Sequence, residues 1–170
     1  MRCFIILGLL VTAGCSWEPK PQYAPERPEV VRSVPTISAP DDTRSLADDR
    51  AVIAASIAQQ QLGVPYQYGG ADPRGFDCSG LVHYAYAEAG MHVPRTTGAL
   101  WREVTIVDRD QPQPGDILFF NFDGKPSHVG IYLGDQYFVH APSTGRHVTT
   151  ESLVNDYYRA RLLRVGRLID

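Results

Sequence analysis

From residue 45 onward the apolar positions fall into two regimes, helical repeats first and strand-like runs afterwards. Residues 49–62 are rich in Ala and Gln, and a 3.6-residue period puts Leu46, Ile53 and Ile57 on one face, the expected buried side of a first helix. Ser45-Leu46-Ala47-Asp48 reads as a capping box at its start, and Gly63 and Pro65 close it. After a polar loop at 72–75, a second helix is expected over 78–89, with Cys78, Leu81, Val82, Ala85 and Ala89 on one face and Gly90 as its stop. A short helix is expected near 98–103. Strands are expected at 116–121, 129–133, 136–140 and 146–150, and the tail at 153–169 reads as a short helix followed by a strand at 160–165. Helices first and antiparallel strands afterwards make an α+β domain rather than alternating βαβ units.

The chain before residue 45 has no such periodicity. Residues 16–44 hold six prolines (Pro19, Pro21, Pro25, Pro28, Pro35 and Pro40) and no glycine, a composition that favours an extended, solvated tether. At the start, Arg2 is followed by an apolar stretch over 3–11 and then Thr12-Ala13-Gly14-Cys15. That order resembles a bacterial lipoprotein signal, whose lipobox ends Ala-Gly-Cys. The resemblance implies a signal peptide at 1–14, lipid on Cys15, a tether at 15–44 and a folded domain at 45–170. With Ser16 next to the cysteine, it also implies a place on the periplasmic face of the outer membrane.

Composition narrows the partners. The chain is 44% hydrophobic and 21% charged with a formal net charge of −3 and no basic run, so no nucleic-acid surface is expected. Of three cysteines, Cys3 leaves with the signal and Cys15 takes the lipid, which leaves Cys78 solitary and an internal disulfide impossible. A single thiol in an oxidising envelope is either a buried, inert side chain or one kept for chemistry.

Position bears on that choice. At the first turn of its helix Cys78 meets unsatisfied N–H groups and the positive end of the dipole, which favour thiolate and can hold an oxyanion. Equally, it could be a small apolar filler under the helix. A nucleophilic thiol needs a base and a group to orient that base. Among five histidines, His83 points away around the helix, and His92 and His147 fall in loops. His128 and His140 lie on consecutive strands around Gly134-Asp135. A strict two-residue turn at 134–135 would put them on opposite faces, so a three- or five-residue loop or a bulge is expected. His128, Gly130, Tyr132, Phe138 and His140 then share one face, with the two histidines directly opposite each other. A helix N-terminus laid on that face would bring Cys78 to His128.

Six motifs in order carry a resemblance across roughly residues 50–165. They are Tyr66-Gln67-Tyr68-Gly69-Gly70, Phe76-Asp77-Cys78-Ser79-Gly80-Leu81-Val82, Pro94-Arg95-Thr96-Thr97, Pro114-Gly115-Asp116-Ile117, His128-Val129-Gly130-Ile131-Tyr132-Leu133-Gly134 and Phe138-Val139-His140-Ala141. Together they resemble the NlpC/P60 family of cell-wall peptidases. The resemblance implies a papain-like fold, with N-terminal helices packed on a central antiparallel sheet. It implies Cys78 as nucleophile, His128 as base and His140 as its orienter. Tyr66 would stand near the nucleophile as an oxyanion donor, and Asp77 and Ser79 would line the substrate pocket. Peptidoglycan stem peptides are the implied substrate, cut next to diaminopimelate by a monomer without cofactor or metal. Three other readings bear on the same residues: zinc held by Cys78, His128 and His140, a non-catalytic murein-binding lipoprotein, and a papain-like amidase or acyltransferase for another amide. Asp77 and Asp116 are carboxylates that serve either the site or a helix start and a turn.

Overall fold

The structure is a computed structural model that describes residues 46–169. The expected signal, Cys15, the tether and Ser45 of the capping box lie outside the described residues.

Helix α1 (Leu46–Gln59) buries Ala47, Ala51, Ala54, Ala55 and Ala58, whereas Leu46 is 75% and Ile53 50% exposed. The expected Leu46–Ile53–Ile57 face is therefore corrected, with only Ile57 packing against the core. The reason is close packing on α2 (Cys78–Glu88): a stripe of methyl groups lets two helix backbones approach where branched side chains would hold them apart. Helix α2 starts at the expected residue and buries Leu81, Val82, Ala85 and Tyr86. Before it, the loop read as polar folds into a small antiparallel pair, β1 (Ala71–Asp72) and β2 (Gly75–Phe76). Helix α3 (Thr97–Glu103) follows, capped by Thr96.

Six antiparallel strands make the main sheet: β3 (Thr105–Val107), β4 (Ile117–Asn121), β5 (Pro126–Gly134), β6 (Tyr137–His140), β7 (Thr149–Ser152) and β8 (Leu162–Arg167). After the short α4 (Asp156–Arg159), β8 returns to lie between β3 and β4, giving the order β3-β8-β4-β5-β6-β7. Alternate residues separate the two faces. Ile117, Phe119, Val129, Ile131 and Val139 join the helices in one core, and Leu118, Phe120, Tyr132, Phe138 and Val165 form a second on the other side. Both faces of β4 are covered, which explains its unbroken apolar run Ile117-Leu118-Phe119-Phe120.

The β5–β6 hairpin contains the expected bulge. Asp135 and Gln136 both have positive φ (49° and 66°), as in a two-residue type I′ turn, and the register shifts between Tyr132 and Gly134. That extra residue returns His128 and His140 to a common face. They are not directly opposite, however. With Ile131 paired to Val139 and Tyr132 to Phe138, His140 falls across from Gly130, and His128 is its diagonal neighbour. A Cβ on Gly130 would meet the Phe138 ring at 2.8 Å and the His140 Cβ at 3.3 Å, so glycine there leaves room for the imidazole.

A second correction concerns layering. The helices cover the face of Val129, Ile131 and Val139, while His128 and His140 lie on the other, against Phe120, Phe138 and Tyr158. Alternation told which residues share a face but not which face receives the helices.

Candidate active site

Cys78 opens α2 because Asp77 caps it: the Asp77 carboxylate accepts from Gly80 N at 2.6 Å in an extended N-cap conformation. Arg95 grips the same carboxylate with both guanidinium nitrogens, at 2.9 and 2.8 Å, and also bonds Ser79 Oγ and Gly70 O. Gly69 N is a further donor to Asp77. Burial pushes the Asp77 carboxyl up, but Arg95 and the Gly80 and Gly69 amides outweigh it and hold the group below the usual range. The loop before the helix packs so tightly that a Cβ at Gly80 would fall 1.9 Å from Gly70 O. Only glycine fits. Asp77 is therefore helix start and pocket wall at once, and Ser79 is buried beside it.

Cys78 is half-buried beside Val129, where β5 extends past the end of β6 while still paired to β4. Thr97 Oγ1 lies 3.9 Å away, and the Val129 and Ser79 amides donate to the sulfur. Burial nevertheless raises the thiol above its ordinary value, with the Val129, Thr97 and Ser79 donors only opposing the rise. The helix terminus favours thiolate, but at this half-buried position desolvation works against it and is the larger influence.

Val129 is the residue after His128, so that amide places the histidine strand against the nucleophile. His128 Nε2 and His140 Nδ1 are 2.8 Å apart in a hydrogen bond. Its Nε2 thus engaged, His128 has Nδ1 left for proton exchange; the hydrogen bonds of Cys78 do not include one to it. Burial lowers His128 to about 4, and burial, His128 and Arg146 lower His140 to about 3, so both rings are neutral near pH 7. His140 Nε2 is the one buried side-chain polar atom without a partner among the described residues.

A groove of about 630 Å³ opens over the sulfur, lined by Tyr66, Asp77, Ser79, Arg95 and Thr97 among others. Burial, Cys78 and Asp77 all raise the Tyr66 phenol, keeping it protonated and a donor. Every expected site residue of the domain thus borders the groove or the histidine pair. Arg95 and Thr97 were not singled out by the sequence reading, although both stand in a motif; the signal was an arginine with no partner nearby in sequence. Asp116 is the turn-type carboxylate: buried, it accepts from Gln113 N and pairs with Arg167. His83 bonds Val93 O, and His92 and His147 are exposed. Among the described residues, no three His, Cys, Asp or Glu side chains form a group suited to a metal ion.

The arrangement of helices packed against an antiparallel sheet is shared with known proteins. The murein DD-endopeptidase MepH of Escherichia coli is 37% identical over 123 residues, covering 69% of this chain and 45% of that protein. The chain thus spans less than half the length of this curated relative. An NlpC/P60 family protein from Bacillus cereus has a crystal structure that superposes with a TM-score of 0.65 at 34% identity, over 71% of this chain and 40% of that one. The NlpC/p60 domain of the peptidoglycan hydrolase SagA matches with a TM-score of 0.62 at 30% identity, covering 69% of this chain and 98% of that domain. The NlpC/P60 family model matches residues 63–167, from the turn after α1 to the last strand, and on that match this chain belongs to the NlpC/P60 family.

Proposed function

We propose that the protein is a thiol peptidase that cuts peptide bonds of murein stem peptides or their cross-links next to diaminopimelate. The observation that carries this reading is Cys78, capped into place at a helix start, lying against the strand whose His128–His140 pair is otherwise buried and neutral. Murein-cleaving relatives such as MepH support the substrate class.

In this reading the resting site is neutral on both sides. His128 Nδ1 takes the Cys78 proton as sulfur attacks the substrate carbonyl, a contact that tightens once substrate is bound. The developing oxyanion is received by the Cys78 amide, which no intrahelical carbonyl can use, and by the Tyr66 hydroxyl. His128 then protonates the departing nitrogen, leaving a thioester on Cys78, and later activates water to hydrolyse it. His140 accepts from His128 Nε2–H and so keeps the bare lone pair on Nδ1. Asp77 and Ser79 line the pocket that receives the acyl half.

The same proposal places a signal peptide at 1–14, a lipid anchor on Cys15 and a tether at 15–44, holding the domain at the periplasmic face of the outer membrane as a monomer. The Ala13-Gly14-Cys15 order and the proline-rich stretch support it. Metabolic labelling with palmitate should mark wild type and not Cys15→Ala. For the activity, the purified protein should be incubated with murein and the new peptide ends identified. Termini at diaminopimelate or its acyl neighbour support the reading; glycan cleavage alone, or an unchanged peptide profile, would overturn it.

A further inference from the structure

A second cavity of about 450 Å³ is bordered by His128, His140, Arg146, Tyr158 and Asp123. It shares Ser127 with the groove over Cys78, so the two are neighbouring compartments, Cys78 lining one and His128 the other. We propose that this second cavity is the leaving-group subsite, taking the amine half of the cleaved bond when that half carries a free carboxylate beside the scissile nitrogen, with Arg146 as its counter-ion. The inference rests on the thiol-peptidase reading above and deepens it.

Proton transfer dictates which half goes where. When the C–N bond breaks, the carbonyl carbon stays on sulfur as a thioester, and the proton that His128 took from Cys78 passes to the departing nitrogen. That nitrogen must therefore touch His128, and whatever it carries continues beyond His128, away from the compartment holding the acyl half. The cavity beginning at His128 is where it arrives.

Its charges favour an anion close in. Both histidines are held neutral by burial, so the positive charge on the wall is Arg146, near enough to His140 and Tyr158 to act on both. Arg146 is exposed, and among the described residues its guanidinium is in no ion pair. Glu151 acts on the Tyr158 phenol from the neighbouring strand, and Asp123 borders the cavity as its one carboxylate. One cation and one carboxylate suit a zwitterionic amino acid better than a polyanion. Phe122 and Tyr157 add aromatic rings to the lining, and the Arg161 guanidinium, itself outside the lining, stacks 4.0 Å from the Tyr157 ring centre.

Two stem-peptide substrates with the same acyl half test this directly, one leaving diaminopimelate with its adjacent carboxylate free and one with that carboxylate amidated. Wild type should favour the free acid by about tenfold in kcat/KM, the value of one charge-assisted contact, and Arg146→Gln should bring the ratio to within about twofold. A wild-type ratio near one, or an unchanged ratio in Arg146→Gln, would overturn the proposal. Separately, Cys78→Ala protein titrated with free diaminopimelate should show NMR shifts at the His140 ring that Arg146→Gln weakens. Shifts confined to Tyr66 and Arg95 would place the ligand in the wrong compartment and also overturn it. If wild type cleaves neither substrate, the peptidase reading fails, and the titration still reads the cavity on its own.

Discussion

On the helix side of Cys78, Asp77 and Arg95 meet in a bidentate ion pair, and the carboxylate also caps α2 and takes a loop amide. On the strand side, His128 and His140 share one 2.8 Å bond, face aromatic rings and have no carboxylate partner among the described residues. The first cluster keeps its charges because each is matched by an opposite charge and hydrogen bonds. The second loses its charges because burial makes an imidazolium costly. Charge here holds the scaffold, while the groups assigned to proton transfer rest neutral. In the proposed mechanism, proton transfer therefore follows substrate binding.

The contrast can be broken most forcefully at His128. His128→Ala should lower kcat/KM for murein peptides by about 10³-fold, the scale of a lost general base, with the folded state intact by circular dichroism. Replacing His140 should cost less, because it acts through His128. His140→Ala should lower kcat by about 10–100-fold with little change in KM, and His140→Asn should recover part of that by offering an acceptor to His128. Loss of KM in place of kcat would make His140 a packing residue only. On the charged side, Asp77→Ala should destabilise the domain by about 2 kcal/mol, since cap and ion pair go together, and Asp77→Asn by about half as much because the cap survives. Chemical denaturation measures both.

The smallest effect distinguishes the clusters by pH. Unfolded histidine titrates near about 6.5, and the folded values of about 4 and about 3 lie below it, so between these limits the unfolded chain binds more protons. Stability from the pair is complete above about pH 6.5 and declines as the pH falls towards 4. The depressed Asp77 carboxyl contributes stability above its unfolded value near about 3.9, lost only as the pH falls through its lower folded value. The melting temperature should therefore fall in two stages on acidification. His140→Asn should flatten the upper stage and leave the lower, and Asp77→Asn should do the reverse.

Most elements were readable from local pattern. The boundaries of α2 follow from Asp77 and Gly90, and the shared face of the histidines follows from strand parity once a bulge is required. What the pattern did not carry is long-range. The insertion of β8 between β3 and β4 pairs residues 58 to 62 positions apart on one side and 42 to 49 on the other, and nothing local encodes it. The alanine face of α1 looked less apolar than the Leu46–Ile53 side, yet close approach to α2 selects small residues. The choice of helix-bearing face was invisible because both sides of β5 read as apolar. Arg95 escaped notice for a related reason: its partner Asp77 lies 18 residues earlier, and only the folded loop joins them. The thiol's state turned on burial, which a helix-start argument leaves out.

The central claim is that Cys78 is the nucleophile and carries the acyl half as a thioester. Acid-quenching the protein during turnover of a murein stem peptide, followed by mass spectrometry of proteolytic fragments, tests it without relying on loss of activity. The account predicts an added mass equal to the acyl half on the fragment containing Cys78, absent from Cys78→Ala and accumulating when His128 is replaced by a weaker base. Continued peptide release by Cys78→Ala, or an acyl adduct on any other side chain, would contradict it.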